Sequence, residues 1–167
     1  MTIELYLIRH GIAALGEAYA NDEERPLTDK GRQKTGKVAK HLLERGLRFD
    51  LILTSPLVRA RETAAILQDV GLGSQVEAFT SLAPDGDINA WVSWLEKWWQ
   101  NATGDRCLAL VGHQPDLGNW VETLVWGDVQ EKLVLKKAGV IGLNIPKTKT
   151  PIGQSELFLL VSPKWLI

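Results

Sequence analysis

Leu5-Tyr6-Leu7-Ile8-Arg9-His10-Gly11 is the stretch on which the reading of this chain turns. An apolar run rich in large residues is the signature of a buried strand, and here it ends abruptly in a guanidinium, an imidazole and a glycine. The polar triplet therefore stands at the strand's carboxyl end. In an open α/β sheet that edge binds ligands, because the loops leaving the strand tips surround a crevice. A permanently charged Arg9 beside a nucleophilic or proton-carrying His10 suits a phosphate, and Gly11 lets an anion approach the main chain without a Cβ in the way.

Two further apolar runs repeat the pattern. Asp50 to Thr54 reads as a strand that hands over to Ser55-Pro56, where Ser55 is the expected N-cap and Pro56 fills the first helical turn, so Arg59 lies close to a strand tip. Cys107 to Val111 reads as a strand ending in Gly112-His113. Between these runs the periodicity changes to helical. Thr28 caps a helix that Gly46 stops; the helix after Ser55 runs to Val70 and closes at Gly71. A short strand is expected from Val76 to Phe79. Asp87 caps a helix in which Ile88, Trp91, Val92, Leu95, Trp98 and Trp99 form one core-facing stripe, with Trp94 off it and exposed. A helix from Asp116 to Val125 ends at Gly127. Lys136-Lys137-Ala138-Gly139 reads as a solvated turn. Val140 to Pro146 and Glu156 to Val161 then form an antiparallel pair at the sheet edge, joined by a loop containing Lys, Thr and Pro. Strands and helices in alternation predict an α/β fold, a three-layer α/β/α sandwich whose central sheet is mostly parallel.

The 167 residues suit a single domain, 1–167, with one core, and a hydrophobic content of 45% with 23% charged residues is ordinary globular composition. A formal net charge of −1 gives no global field to recruit nucleic acid or an anionic membrane, so any anion binding must be local. Cys107, the single cysteine, sits in an apolar run and reads as a small core residue. No basic leader with an apolar core opens the chain, and no apolar stretch approaches the roughly 20 residues of a spanning helix. A cytoplasmic protein without membrane contact is the expectation.

Each polar strand end has a plainer reading when taken alone. Arg59 could simply pair with Glu62, and a His after a strand could only cap a carbonyl. Together the strand ends place two arginines and two histidines around one crevice, which short motifs seldom do by accident.

At this point the sequence resembles the histidine phosphatase superfamily, with its phosphoglycerate-mutase-like fold. The resemblance rests on Leu7-Ile8-Arg9-His10-Gly11, Arg25-Pro26-Leu27-Thr28 with Gly31, Ser55-Pro56 through Arg59 to Thr63-Ala64, and Val111-Gly112-His113-Gln114-Pro115. Its short length and the Leu82-Ala83-Pro84-Asp85-Gly86-Asp87 loop look most like the small SixA-type phosphohistidine phosphatases. The resemblance implies that His10 is the nucleophile, that Arg9 and Arg59 bind the phosphoryl oxygens, and that His113 completes the pocket. The chemistry agrees. Phosphoryl transfer needs an in-line nucleophile and fixed cations around three equatorial oxygens, and two fork-shaped arginines with a protonated His113 would supply them. With that much cationic charge no metal or other cofactor is expected. Arg25 either reaches this pocket from its loop or pairs with Glu23 or Glu24.

Superfamily members acting on alkyl phosphates often carry a Glu after the third strand to protonate the leaving oxygen. Thr80 to Asp87 contains none. Asp85 and Asp87 are the acids present there, and Asp87 is the expected helix cap. An alkoxide leaves poorly without an acid, whereas an imidazole leaving a P–N bond is readily protonated near neutral pH. The expectation is a phosphohistidine phosphatase whose partner is a phosphohistidine-bearing protein, such as a phosphotransfer domain. A small-molecule phosphate monoesterase using Asp85 as donor is the alternative, and a non-catalytic phosphate-binding domain the third reading.

Overall fold

The computed structural model describes residues 2–147 and 150–167; residues 148 and 149, in the loop expected to join the last two strands, lie outside them, as does Met1. The strands β1 Ile3–Arg9, β2 Leu51–Thr54, β3 Val76–Ala78, β4 Arg106–Gly112, β5 Val140–Ile145 and β6 Glu156–Val161 form one sheet in the order β3-β2-β4-β1-β5-β6. β1 pairs parallel with β4, β4 with β2 and β2 with β3, while β5 is antiparallel to both β1 and β6. The mixed sheet, with its antiparallel pair at one edge, is the one the strand pattern predicts.

The helices are α1 Asp29–Glu44, α2 Val58–Val70, α3 Ile88–Gln100, α4 Asp116–Trp126 and the short α5 Pro163–Leu166. Alternation along each strand divides the core in two. Ile3, Leu5 and Leu7 of β1 pack with Leu108 and Leu110 of β4 against Trp91, Leu95 and Trp99 of α3 and Trp120 and Leu124 of α4. Tyr6 and Ile8 point the other way with Ala109 and Val111, onto Val38 and Leu42 of α1 and Ala60, Ala64 and Leu67 of α2. A fully buried Leu or Ile contributes about 2 kcal/mol by leaving water, so burial on both faces of β1 and β4 makes this pair the rigid centre of the sheet.

Helix ends follow their chemistry. Thr28 Oγ1 accepts from the Gly31 N–H at 2.9 Å, and Asp87 Oδ1 from the Asn89 N–H at 2.9 Å. Gly46, Gly71 and Gly127 all take positive φ where their helices stop. Gly31 has a second reason to be glycine: a Cβ there would collide with the Ile12 carbonyl of the loop crossing α1.

Three expectations need correction. Ser55 is not the cap of α2, because Pro56 and Leu57 form a bend and the helix begins at Val58 with Leu57 at the N-cap position. Trp94 is half-buried rather than exposed, since its ring lies between Phe79, 5.9 Å away, and the stacked ring of Trp98 at 5.5 Å. Short 3-10 turns at Gly16–Ala18, Asp22–Glu24 and Thr80–Leu82 carry no periodic signal and were not anticipated.

Topology positions the site. β1 and β4 are neighbours, but the crossover leaving β1 packs α1 on one face while α4, which follows β4, packs on the other. The two outgoing segments separate at the carboxyl edge and leave a crevice, the switch point at which open α/β sheets bind ligands. Among the described residues no helix is long and apolar enough to cross a membrane.

Candidate active site

His10 leaves the end of β1 and His113 the end of β4, and their ring centroids lie 5.2 Å apart. Both are buried, at 7% and 4% exposure. His10 Nδ1 is 2.7 Å from the Gly11 carbonyl oxygen. A carbonyl only accepts, so Nδ1 carries the proton and Nε2 keeps its lone pair. Burial pushes the His10 pKa down to about 3; the carbonyl bond opposes this, and His113, Arg59 and Arg9 add to it by their charge. The ring is therefore neutral, as a nucleophile must be.

His113 Nε2 lies 2.7 Å from Ser55 Oγ, which also accepts from the Leu57 N–H at 3.2 Å. The serine expected to cap α2 instead turns toward the second histidine. Burial, then the charge of Arg59, lowers His113 to about 4, with Asp22 opposing and Arg9 and Arg25 assisting. A protonated His113 is thus not the state of the unliganded pocket. The loss of solvent and three nearby guanidinium groups outweigh the carboxylate.

Arg59, 5% exposed in the first turn of α2, donates from Nη1 to the Asp22 carbonyl at 2.9 Å and from Nη2 to Asp22 Oδ2 at 3.1 Å. Its expected partner Glu62 is taken elsewhere, accepting from the Leu27 N–H at 2.8 Å and pairing with Arg32. Arg25 Nε donates to Asp22 Oδ1 at 2.8 Å and its Nη1 to the Ala14 carbonyl at 2.9 Å. The 3-10 turn at Asp22–Glu24 explains why Asp22, three residues back, is its partner in place of Glu23 or Glu24. One carboxylate thus bridges two arginines at the pocket wall.

Arg9 Nη1 donates to the Leu135 carbonyl at 3.0 Å. The segment just before that acceptor is held by Glu122, a fully buried residue of α4 whose carboxylate accepts from the main-chain N–H groups of Gln130, Lys132 and Leu133. Arg9 Nε, Arg59 Nε and His113 Nδ1 are all buried without a hydrogen-bond partner. Thr35 Oγ1, Trp91 Nε1 and Trp99 Nε1 share that condition, so three of these orphaned atoms belong to the arginines and the second histidine of the crevice.

Gly11 does work other than that expected of it. Its N–H donates to Thr63 Oγ1 at 3.1 Å, and a Cβ there would run into Thr35 Oγ1 of α1. The glycine lets α1 close on the strand tip rather than exposing an N–H to an anion. Thr63, fully buried on α2, also donates to the Arg59 carbonyl at 2.8 Å. One hydroxyl therefore joins the His10-Gly11 segment to the turn that carries Arg59.

Asp85 is held against the start of α4, three residues beyond His113. It is exposed, sits at φ 67°, and its main-chain N–H donates to Asp116 Oδ2 at 2.8 Å. Arg59 and Arg9 act on both rings by their charge, His113 also on His10, and Asp22 and Arg25 also on His113. Asp22, Ser55 and Thr63 are the residues that sequence reasoning missed. Thr63 lies inside the quoted motif, and only its spacing of four from Arg59 hints that the two share a helix face. Asp22 and Ser55 are placed by turns that no periodicity announces.

The fold and the paired imidazoles define the class, and comparison with known proteins agrees. The family model of the histidine phosphatase superfamily, branch 1, matches residues 5–83. The chain belongs to the histidine phosphatase superfamily, a class of phosphatases. It is 51% identical over 166 residues to an uncharacterised protein of Picosynechococcus sp., with 99% of each chain covered. It is 30% identical over 130 residues to the phosphohistidine phosphatase SixA of Escherichia coli strain K12, covering 75% of this chain and 76% of that one. The solved structure of the protein histidine phosphatase SixA complexed with tungstate superposes with a TM-score of 0.84 at 24% identity, over 98% of this chain and 99% of that one, and so shares the fold.

Proposed function

We propose that this protein is a phosphohistidine phosphatase that removes the phosphoryl group from a histidine of another protein through a covalent intermediate on His10. The observation that carries the reading is the pair of buried rings 5.2 Å apart, His10 with its Nδ1 proton engaged, beside two guanidinium groups that retain unpartnered Nε donors. The likeness to the phosphatase named SixA supports the choice of substrate class.

In the first step the Nε2 lone pair of His10 attacks phosphorus in line while the bond from phosphorus to the substrate's imidazole breaks. The departing imidazole keeps the bonding electrons and takes a proton from solvent water. Arg9, Arg59 and His113 face the equatorial oxygens, where charge develops in a loose transition state. Water then attacks the phosphohistidine, the bond to Nε2 breaks, and inorganic phosphate leaves with His10 neutral again. No carboxylic acid lies on this path. A P–N leaving group does not require one near neutral pH.

The deciding experiment offers a histidine-phosphorylated protein and several alkyl phosphate monoesters to the same preparation. Faster turnover of the phosphoramidate, abolished in His10→Ala, is the expected result. Equal or better turnover of an alkyl ester overturns the substrate assignment, and full activity in His10→Ala overturns the mechanism.

A further inference from the structure

Beside the catalytic crevice lies a second concavity of about 430 Å³, lined among others by Arg9, Ile12, Lys34, Lys136, Lys137 and Lys164. Arg9 and Ile12 flank His10-Gly11 in the chain, so this cavity abuts the strand tip that carries the nucleophile. The connection on the other side is equally short. The Ala138 N–H donates to the carbonyls of Arg9 at 3.0 Å and His10 at 3.2 Å, which sets Lys136 and Lys137 within two residues of a main-chain bond to the nucleophile.

The four lysines gather on a chain whose net charge is −1. Their clustering is therefore a local feature and not the consequence of a basic protein. Lys136, Lys137 and Lys164 are exposed and Lys34 is half-buried. Among the described residues no carboxylate pairs with any of them; Lys164 Nζ lies 5.3 Å from the centroid of the Trp165 ring. Four ammonium groups around one hollow without a counter-charge produce a positive field that an anionic surface would relieve.

The opposite rim carries the other sign. In sheet order the His10 and His113 strands lie between β2, whose end leads to Arg59 and the Asp22-Glu23-Glu24 turn, and β5 with β6, whose ends lead to the lysines. Those three acids are exposed; Asp22 is paired with Arg25 and Arg59, so Glu23 and Glu24 carry the negative charge of this rim. A partner with an acidic face is repelled from the acidic rim and drawn to the lysine rim, so the charges fix its orientation as well as attract it.

We infer that the Lys34, Lys136, Lys137 and Lys164 concavity is a docking surface for acidic side chains that neighbour the phosphohistidine on the protein substrate. The inference rests on the phosphohistidine reading and adds to it the kind of partner surface the enzyme accepts. Exposed charges contribute modestly one at a time, so the effect comes from the cluster and is sensitive to salt.

Two synthetic phosphohistidine peptides of equal length test it, one with glutamates and one with glutamines flanking the phosphorylated residue. The wild-type protein is compared with the triple variant Lys34→Gln, Lys136→Gln, Lys137→Gln. The expected result is a kcat/KM about 10-fold higher for the acidic peptide in dilute buffer, arising in KM, and falling to within about 2-fold in the triple variant or at about 0.3 M salt. The ratio of the two rates does not depend on the fraction of folded enzyme, so a poorly folding variant does not blur the result. A wild type that treats both peptides alike, or a triple variant that keeps the preference, overturns the docking surface and leaves the phosphohistidine reading intact. Hydrolysis of neither peptide by the wild type overturns that reading, and the docking surface with it.

Discussion

Asp22 Oδ2 lies 3.1 Å from Arg59 Nη2, so the carboxylate of a surface turn occupies one arm of the guanidinium that the pocket offers to an anion. Its other oxygen holds Arg25 at 2.8 Å. Desolvation works against the charged form, yet the bonds from Arg25 and Arg59 keep the Asp22 carboxyl below its ordinary value, so it is an anion throughout the neutral range. A phosphoryl group and this carboxylate therefore compete for the same donor. Because the Asp22 side chain is 62% exposed, the pair is solvent-screened and contributes less than about 1 kcal/mol. Asp22→Asn should lower the inhibition constant for inorganic phosphate by about 2- to 5-fold, within that energy range. Weaker inhibition in the variant would show instead that Asp22 holds Arg59 in its working orientation.

Thr63 Oγ1 accepts from the Gly11 N–H and donates to the Arg59 carbonyl, and no other described side chain bridges those two segments. Thr63→Val keeps the shape but strands a buried N–H, which costs about 1–3 kcal/mol of folding stability in urea titrations. Loosening the strand tip relative to α2 shifts His10 and Arg59 with respect to each other, so kcat should fall by about 10-fold or more even under conditions where the variant is fully folded. Thr63→Ser, which retains the hydroxyl, should recover most of the rate. A Ser variant as impaired as the Val variant would place the defect in packing and not in the hydrogen-bonded bridge.

Those two residues also show where sequence reading succeeds and where it ends. Arg9, His10 and His113 were legible because uninterrupted apolar runs mark buried strands, and whatever polar group ends such a run must stand at the sheet edge. Arg59 was legible through the Ser-Pro helix start, although the helix begins later than that signal implies. The fold followed from the alternation of periods, and the antiparallel edge from two strand-like runs joined by a loop containing Lys, Thr and Pro. What stayed hidden depends on backbone rather than on pattern. Asp22 is placed by a 3-10 turn, Leu135 acts through its carbonyl, and Gly11 owes its identity to the approach of Thr35 from a helix distant in the chain.

The pH behaviour follows from the same burial. Both imidazoles start from an ordinary value of 6.5; burial first, then surrounding positive charge, takes His10 down to about 3 and His113 to about 4. Below about pH 6.5 the unfolded chain binds protons that the folded pocket refuses, so the stability these neutral rings supply is complete above that value and is lost as the pH falls toward 4 and then 3. At about pH 5 each ring should have given up about 2 kcal/mol, measurable as a falling midpoint of thermal unfolding. Ring resonances of His10 and His113 should accordingly stay flat in NMR titrations of the unliganded protein between about pH 8 and 5. Saturating inorganic phosphate changes the sign of the local field at His113. A dianion beside the ring favours its charged form, so its titration should move up into the accessible range and phosphate binding should take up a proton. If His113 titrates near 6.5 without any anion present, the ring is solvated and the pocket is more open than its 4% exposure implies.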